Sequence, residues 1–375
     1  MNDNKTSKNS IVAKFAVPIS FLILFFLAAN FTDCDLVTFW KRRNHLTDLV
    51  VDMIPPDFSY IQKILLPLFY TIQMSVTGTV LGTFFALVLS PFGAANLGFP
   101  AVIRRILRIV IQILRSFPAL ILALTATFLF GLGTFAGTFA ITLYTFAIMT
   151  KLTYEDASAA DVKAYQALRA MGVSKYVAYI HGILPEIIPG FLTNALYLLE
   201  TNVRHSSILG YVGAGGIGLL LNEKISWLEY DKVGTILLML FLTVCVIEYF
   251  SLYLTALIRI ELTIKKEQAR LLLLFLAALF LICTFTLSLP DFSRTSPQTL
   301  RNMFAGFLQP DWSFFFSAEK DGLGYLLLET VCIAFIGTVI GAIVSAPLAF
   351  LNTKRFVPAP VSFLFNLVIM VIRSV

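Results

Sequence analysis

Charge is what this 375-residue sequence has least of. Asp, Glu, Lys and Arg make up 13% of it, about half the roughly 25% usual in a soluble domain, while hydrophobic residues reach 58%. That balance excludes an ordinary water-soluble globule. Cysteine is scarce too: Cys34, Cys245, Cys283 and Cys332 are scattered, three of them inside apolar runs. Neither a disulfide framework nor a CxxC metal site is suggested, and the thiols are expected to be core residues. Three histidines give no metal cluster. No G-x-x-x-x-G-K-[ST] occurs, so this chain holds no phosphate loop of that kind. There is likewise no H-E-x-x-H, no G-x-S-x-G and no cluster of His with carboxylates, so no catalytic residue, metal or cofactor is expected. A formal charge of +6 could hint at nucleic acid, but in so apolar a chain lysines and arginines first report orientation, and no nucleic-acid partner is expected.

What is present is length in apolar runs. Hydropathy windows over 11–30, 64–89, 106–130, 133–150, 187–212, 234–258, 271–290, 325–351 and 361 to the end each approach the ~20 residues needed to cross a bilayer. The expected fold class is therefore all-α, a polytopic transmembrane helical bundle of about nine spans. Lys5, Lys8 and Lys14 precede the first run as in a signal peptide, yet no small-x-small cleavage site follows, and the run reads as a retained helix. With a cytoplasmic N-terminus, the basic clusters around Arg104–Arg108, Lys151–Lys175, Arg259–Arg270 and Lys354–Arg355 all fall inside; Lys41, Arg42 and Arg43 are the exception.

A repeat lies beneath this pattern. PLFYTIQMSVTGTVLG, ending at Gly82, resembles LLLETVCIAFIGTVIG, ending at Gly341, an offset of 259 residues that sets Thr71 against Thr330 and Gly78-Thr79-Val80 against Gly337-Thr338-Val339. With small gaps, Pro56-Asp57-Phe58 face Pro310-Asp311-Trp312, Pro91 and Asn96 face Pro347 and Asn352, and Arg115-Ser116 face Arg373-Ser374. The first run, 11–30, falls on 270–290. Six spans separate the copies, an even number, so the repeats are parallel. Two units are expected: 1–260 with six spans, and 261–375, incomplete, with about three.

Between the fourth and fifth runs lies the polar stretch Lys151 to Gly190. Val162, Tyr165, Leu168 and Met171 recur every three residues as an amphipathic stripe; Gly172 breaks the helix, Ser174 can cap a second, and Pro185 ends it. A helix-glycine-helix of this polarity does not span. It suits either an interfacial hairpin or a helix offered to a groove on a cytoplasmic partner.

Leu209 to Leu220, LGYVGAGGIGLL, poses a separate question, because Gly213, Gly215 and Gly218 carry the G-x-G-x-x-G spacing of a dinucleotide loop. That motif needs a strand before it, and here the preceding segment is long and apolar enough to cross a bilayer.

Gln166-Ala167-Leu168, Gly172 and Leu184-Pro185 resemble the EAA loop of ABC importer permeases, which follows E-A-A, three residues, G, nine residues, I, one residue, L-P. The sequence departs in Gln166, in Leu168 and in Gly182, which stands where the isoleucine is expected. PPDF, GTVLG, LRSFPALI, ALRAMG, ILPEIIPGF and ETNVRHSSILGYVGAGGIG, in that order over Pro55 to Gly218, are together similar to the phosphonate-class permease. The resemblance implies a bundle of the ABC importer type in a bacterial inner membrane, moving phosphonates or related phosphorus oxoanions by alternating access. It also implies a separate cytoplasmic ABC ATPase dimer docked at the loop, an extracytoplasmic phosphonate-binding protein, and a second permease unit. The glycine-rich turn is a signature of this group, and Gly213, Gly215, Gly216 and Gly218 are expected to be structural, letting non-helical backbone pack closely at membrane depth.

Ionisable groups at membrane depth mark pathways or pairs. Glu200 and Arg204 stand at i, i+4, which suits an ion pair. Arg115 recurs as Arg373. Arginine forks and hydroxyls suit an oxoanion, so Arg115, Ser116, Glu200, Asn202 and Arg204 are candidates for the translocation path. Fold does not fix substrate, so a permease for another small solute such as an amino acid, or a secondary transporter, are the alternatives.

Overall fold

The structure, a computed structural model, describes residues 20–34, 36–258, 278–288, 301–302, 305–306, 309, 311–317, 322–353 and 356–374. All regular structure among them is helical. The elements are α1 (Ser20–Phe31), α2 (Leu36–Asp52), α3 (Ile61–Gly93), α4 (Ala101–Ser116), α5 (Ala119–Phe130), α6 (Thr134–Ala159), α7 (Lys163–Ala170), α8 (Lys175–Gly182), α9 (Leu184–Leu209), α10 (Ile217–Ser226) and α11 (Tyr230–Ile258). After these come α12 (278–285), α13 (Trp312–Phe315), α14 (Leu323–Asn352) and α15 (Ala359–Ser374).

Among the described residues, four helices are long and apolar enough to cross a membrane: α3 with the short turn before it, α6, α11 and α14. Two bent pairs, α4 with α5 and α8 with α9, bring the number to six if each is one span. The window 106–130 is therefore not a straight span, because α4 meets α5 at 92°. Pro118 has no N–H to continue the ladder and drives Phe117 into extended backbone, at φ −83° and ψ 124°. Hydropathy averages over such a break. Of the other windows, 11–30 and 271–290 lie partly outside the described residues, and α15 has 16 residues.

Contacts divide the chain into two compact units, Asp52–Leu300 and Met1–Val51 with Arg301–Arg373. In the first, α3 and α6 lie against each other through small residues. A Cβ at Gly78 would stand 2.7 Å from the Ile141 side chain, and one at Gly82 2.7 Å from that of Thr145. Without a solvent-driven hydrophobic term inside lipid, close backbone approach of this kind is what holds helices together. Within α3, the Thr71 and Ser75 hydroxyls donate to the carbonyls of Pro67 and Thr71, at 3.0 and 2.8 Å. Tyr60, Ile64, Leu68, Val203, Ile217, Ile236, Leu240 and Val244 form an apolar core joining α3, α9, α10 and α11. α12 lies against α3, where the Gln73 amide donates to the Cys283 carbonyl at 3.0 Å and to the Thr286 hydroxyl at 2.9 Å.

In the second unit, α1 lies along α14, with Phe21 against Phe335 and Phe31 against Tyr325 at ring separations of 5.2 and 4.9 Å. Gly337 and Gly341, the counterparts of Gly78 and Gly82, meet nothing within 4 Å.

Candidate functional site

The polar stretch after α6 folds as a helical hairpin. Gly172 sits at φ +84°, the left-handed conformation that ends a helix, while its N–H and that of Val173 return to the Arg169 and Leu168 carbonyls at 3.1 and 3.2 Å. The Arg169 guanidinium donates to the Val173 carbonyl and closes the turn. Ser174 then caps α8 by accepting from the Val177 N–H. Pro185 does not end this helix: α8 stops at Gly182, and Pro185 lies in the first turn of α9, where its missing N–H is no loss.

The base of the hairpin is anchored. Tyr165, Ala178, Tyr179 and Ile183 pack with Ala94, Leu97 and Ala157 at the ends of α3 and α6. The Tyr165 hydroxyl donates to the Leu97 carbonyl at 2.6 Å, and the Lys175 ammonium donates to the Gly98 carbonyl. Gly182, the departure from the expected isoleucine, has a reason in this packing. A Cβ there would lie 2.8 Å from the Tyr165 nitrogen, so α7 and α8 close only over a glycine. The tip is free: Gln166, Ala167, Met171 and Gly172 are exposed, with Met171 at 71%, and Leu168 and Leu184 are half-buried beside an exposed Pro185. The expected stripe thus departs at Met171, which the turn carries away from the buried side of Tyr165.

The glycine turn after α9 is enclosed. Gly213, Gly215 and Gly216 have φ of +81°, +81° and +74°. A Cβ at Gly218 would fall 1.7 Å from the Ser207 carbonyl oxygen. The Gly213 carbonyl accepts from the Gly133 N–H at 3.0 Å, and the Ile217 N–H at the start of α10 donates to the Thr71 hydroxyl at 2.8 Å. The amide that would face a phosphate in a dinucleotide loop is thus taken by α3.

The five intramembrane candidates divide by place. Arg115 and Ser116 stand exposed at the end of α4, beside the bend, and the Ser116 hydroxyl is spent on the Ile113 carbonyl at 2.7 Å. On α6, the Tyr144 ring meets His205 of α9 edge-on at 5.3 Å. Glu200 and Arg204 form an ion pair within α9, with side chains 9% and 14% exposed. Asn202 points elsewhere, as a residue two places along a helix must. Fully buried, it donates to the Thr79 and Thr145 hydroxyls at 2.8 Å each, joining α9 to α3 and α6.

The model of the family described as binding-protein-dependent transport system inner membrane component matches residues 78–260. The phosphite transport system permease protein PtxC of Stutzerimonas stutzeri is 31% identical over 217 residues, 58% of this chain and 79% of that protein. The chain belongs to this family of permeases. It is a membrane-spanning permease of the phosphonate class of ABC importers. The phosphate-import permease protein PhnE of Mycolicibacterium smegmatis is 32% identical over 200 residues, 53% of this chain and 38% of that protein. Among solved structures, the MetNI methionine ABC transporter in an inward-facing form aligns over 54% of this chain and 99% of that one, with 20% identity and a TM-score of 0.48.

Two groups of this permease escape a reading of the sequence. Thr79 and Thr145 partner Asn202, and the signal for Thr79 was its place in the repeated Gly-Thr-Val. At the α10–α11 turn, Lys224 is buried between Glu223 and Glu229, 3.0 Å from each, and lies over the Trp227 ring at 4.1 Å. Burial disfavours its ammonium, but hydrogen bonds to Glu229 and Glu223 outweigh that and raise its pKa above the ordinary lysine value.

Proposed function

We propose that this permease carries a phosphorus oxoanion of the phosphonate or phosphite class across a bacterial inner membrane, driven by a separate cytoplasmic ABC ATPase dimer that docks on the α7–α8 hairpin. The observation that carries the coupling half is the hairpin itself: an anchored base and an exposed tip at Gln166, Ala167 and Gly172. A short rigid helix pair of this kind transmits motion of a docked partner to α6 and α9, the two helices it interrupts. For the substrate class the support is the likeness to a phosphite permease and a phosphate-import permease, together with buried and exposed arginines suited to oxoanion oxygens. An extracytoplasmic binding protein would deliver the substrate. On this reading the N-terminus is cytoplasmic, residues 1–260 form one permease unit, 261–375 belong to a second, and a complete pathway needs both kinds of unit. Arg115, Arg204 and Glu200 line or gate the path, while Asn202 holds its walls.

Co-purification tests the coupling. Gly172→Asp puts a negative side chain at a positive φ on the exposed tip, and should abolish capture of the ATPase while leaving membrane insertion at the wild-type level. Undiminished capture would contradict the reading.

A further inference from the structure

α4 sorts its residues by face. Arg104, Arg105, Arg108, Gln112 and Arg115 share one side by their spacing, and apolar residues fill the rest. The basic side opens as a groove of about 470 Å³, walled by Arg104, Arg105 and Arg108 with Ala101, Ile109, Gln112 and Ile113. Its lining is ordered along the helix, with the arginines in the turns next to Pro100 and the isoleucines after them. The Arg108 Nε donates to the Gly93 carbonyl at 3.0 Å, and the Arg104 guanidinium to that of Ala95 at 3.4 Å. The charged end of the groove therefore stands beside Ala94 and Leu97, on which the α7–α8 hairpin is anchored. No acid lines the groove, and none of its three arginines forms an ion pair among the described residues. The chain alone gives these charges a poor setting. Arg104 and Arg108 are like charges at i, i+4, and Arg104 and Arg105 sit near the start of α4, the positive end of the helix dipole.

Anchoring α4 to the loop before it does not require these charges, because the second copy does so without them. Ala359–Ser374 matches Ala101–Ser116 with no gap, and Arg373 keeps the place of Arg115, yet Ser362, Phe363 and Asn366 stand where Arg104, Arg105 and Arg108 do. The Ser362 hydroxyl donates to the Asn352 carbonyl at 2.7 Å, a loop contact of the kind Arg104 makes. We propose that the α4 groove binds the phosphate of an anionic membrane phospholipid, with the headgroup on Arg104, Arg105 and Arg108 and the upper acyl chain along Ile109 and Ile113. Guanidinium forks match phosphate oxygens in pairs. The eight residues from Arg105 to Ile113 rise about 12 Å, and over that distance the lining passes from charged to apolar in the order in which a lipid presents its own parts. Val102 and Ile106, beside the arginines, are exposed as well and extend the apolar surface around the groove. A free oxoanion would have no use for the apolar end. Basic pockets at a membrane face are where anionic headgroups collect, and the site does not depend on which solute the permease carries.

The test is the thermal midpoint of the full chain in phosphatidylcholine nanodiscs with a graded fraction of phosphatidylglycerol. The midpoint should rise with that fraction and saturate. Replacing the arginines by the second copy's own residues, Arg104→Ser with Arg105→Phe and Arg108→Asn, should leave it flat. Should the triple variant misfold, Arg105→Gln stands alone, since Arg105 is exposed. It should need about fivefold more phosphatidylglycerol for the same rise, the worth of one basic residue near the membrane surface. An equal rise in wild type and Arg105→Gln would overturn the proposal. So would methylphosphonate, added to phosphatidylcholine nanodiscs, if it raised the midpoint through the same arginines and abolished the effect of phosphatidylglycerol, because the groove would then take the free oxoanion and not the lipid.

Discussion

Asn202 donates one amide to two hydroxyls, Thr79 and Thr145, each at 2.8 Å, and so ties α9 to both members of the closely packed α3–α6 pair. Residues around it obey the same logic. Gly78 and Gly82 let α6 approach α3, and the contact brings Thr145 within reach of Asn202. Removing the amide should loosen three helices at once. Intramembrane hydrogen bonds average about 0.6 kcal/mol each, so Asn202→Ala should cost about 1 kcal/mol, read as a lower thermal midpoint in detergent. An unchanged midpoint would show that the three helices do not depend on this side chain.

The α3–α6 contact gives a second prediction with its own control. A valine at Gly82 needs room where the Thr145 Cβ and the Thr142 carbonyl already stand 2.7 and 2.8 Å from an added Cβ. Overpacking of this kind costs ~1–3 kcal/mol, and Gly82→Val should lower both the midpoint and the yield of inserted protein. Gly190, inside α9, has nothing within 4 Å. Gly190→Ala should therefore be neutral, or stabilising by up to about 1 kcal/mol.

Hairpin geometry separates shape from surface. At φ +84°, Gly172 can be replaced by Asn at little cost, because Asn tolerates the left-handed region, whereas a β-branched residue costs ~1–2 kcal/mol there. Gly172→Asn should keep ATPase stimulation and Gly172→Val should lose it. Gly182→Val should lose it too, although it changes no exposed side chain at the tip, because it forces α7 off α8 at Tyr165. Stimulation unaffected by Gly182→Val would show that the hairpin's closure is irrelevant to coupling.

The α10–α11 turn sets a pH dependence. Hydrogen bonds from Lys232 and then Lys224 hold the Glu229 carboxyl below the ordinary glutamate value, and Lys224 is held above the ordinary lysine value. A depressed acid contributes stability above its unfolded pKa that is lost as pH falls through its folded one; a raised base contributes stability that is lost as pH rises through its folded one. The thermal midpoint should be flat near neutrality and fall on acidification below the ordinary glutamate range. Glu229→Gln should lower the plateau and shrink the acid-side fall. An acid-side fall of full size in that variant would place the titrating group elsewhere.

Much of this was legible in sequence because it depends on local rules. Apolar run length and helical spacing identify the bundle, and Gly172 and Ser174 mark the hairpin's break and cap by backbone requirements that need no partner. The bend at Phe117 was hidden because a hydropathy window weighs residues without order, though Pro118 itself announces the break. Grouping Asn202 with Arg204 overlooks helical geometry, since two residues along an α-helix is more than half a turn. Gly182 and buried Lys224 were out of reach for another reason: their roles come from Tyr165, Glu223, Glu229 and Trp227 through tertiary approach, which no spacing encodes.

The measurement that most directly tests the central claim is uptake into proteoliposomes holding the full-length permease, its partner unit and its ATPase, with binding protein outside. Radiolabelled phosphonate and phosphite should enter only when ATP is present, methionine should not, and Gly172→Asp should stop entry while substrate still binds the binding protein. Entry driven by an ion gradient without ATP, or ATP-driven uptake indifferent to Gly172→Asp, would contradict the account.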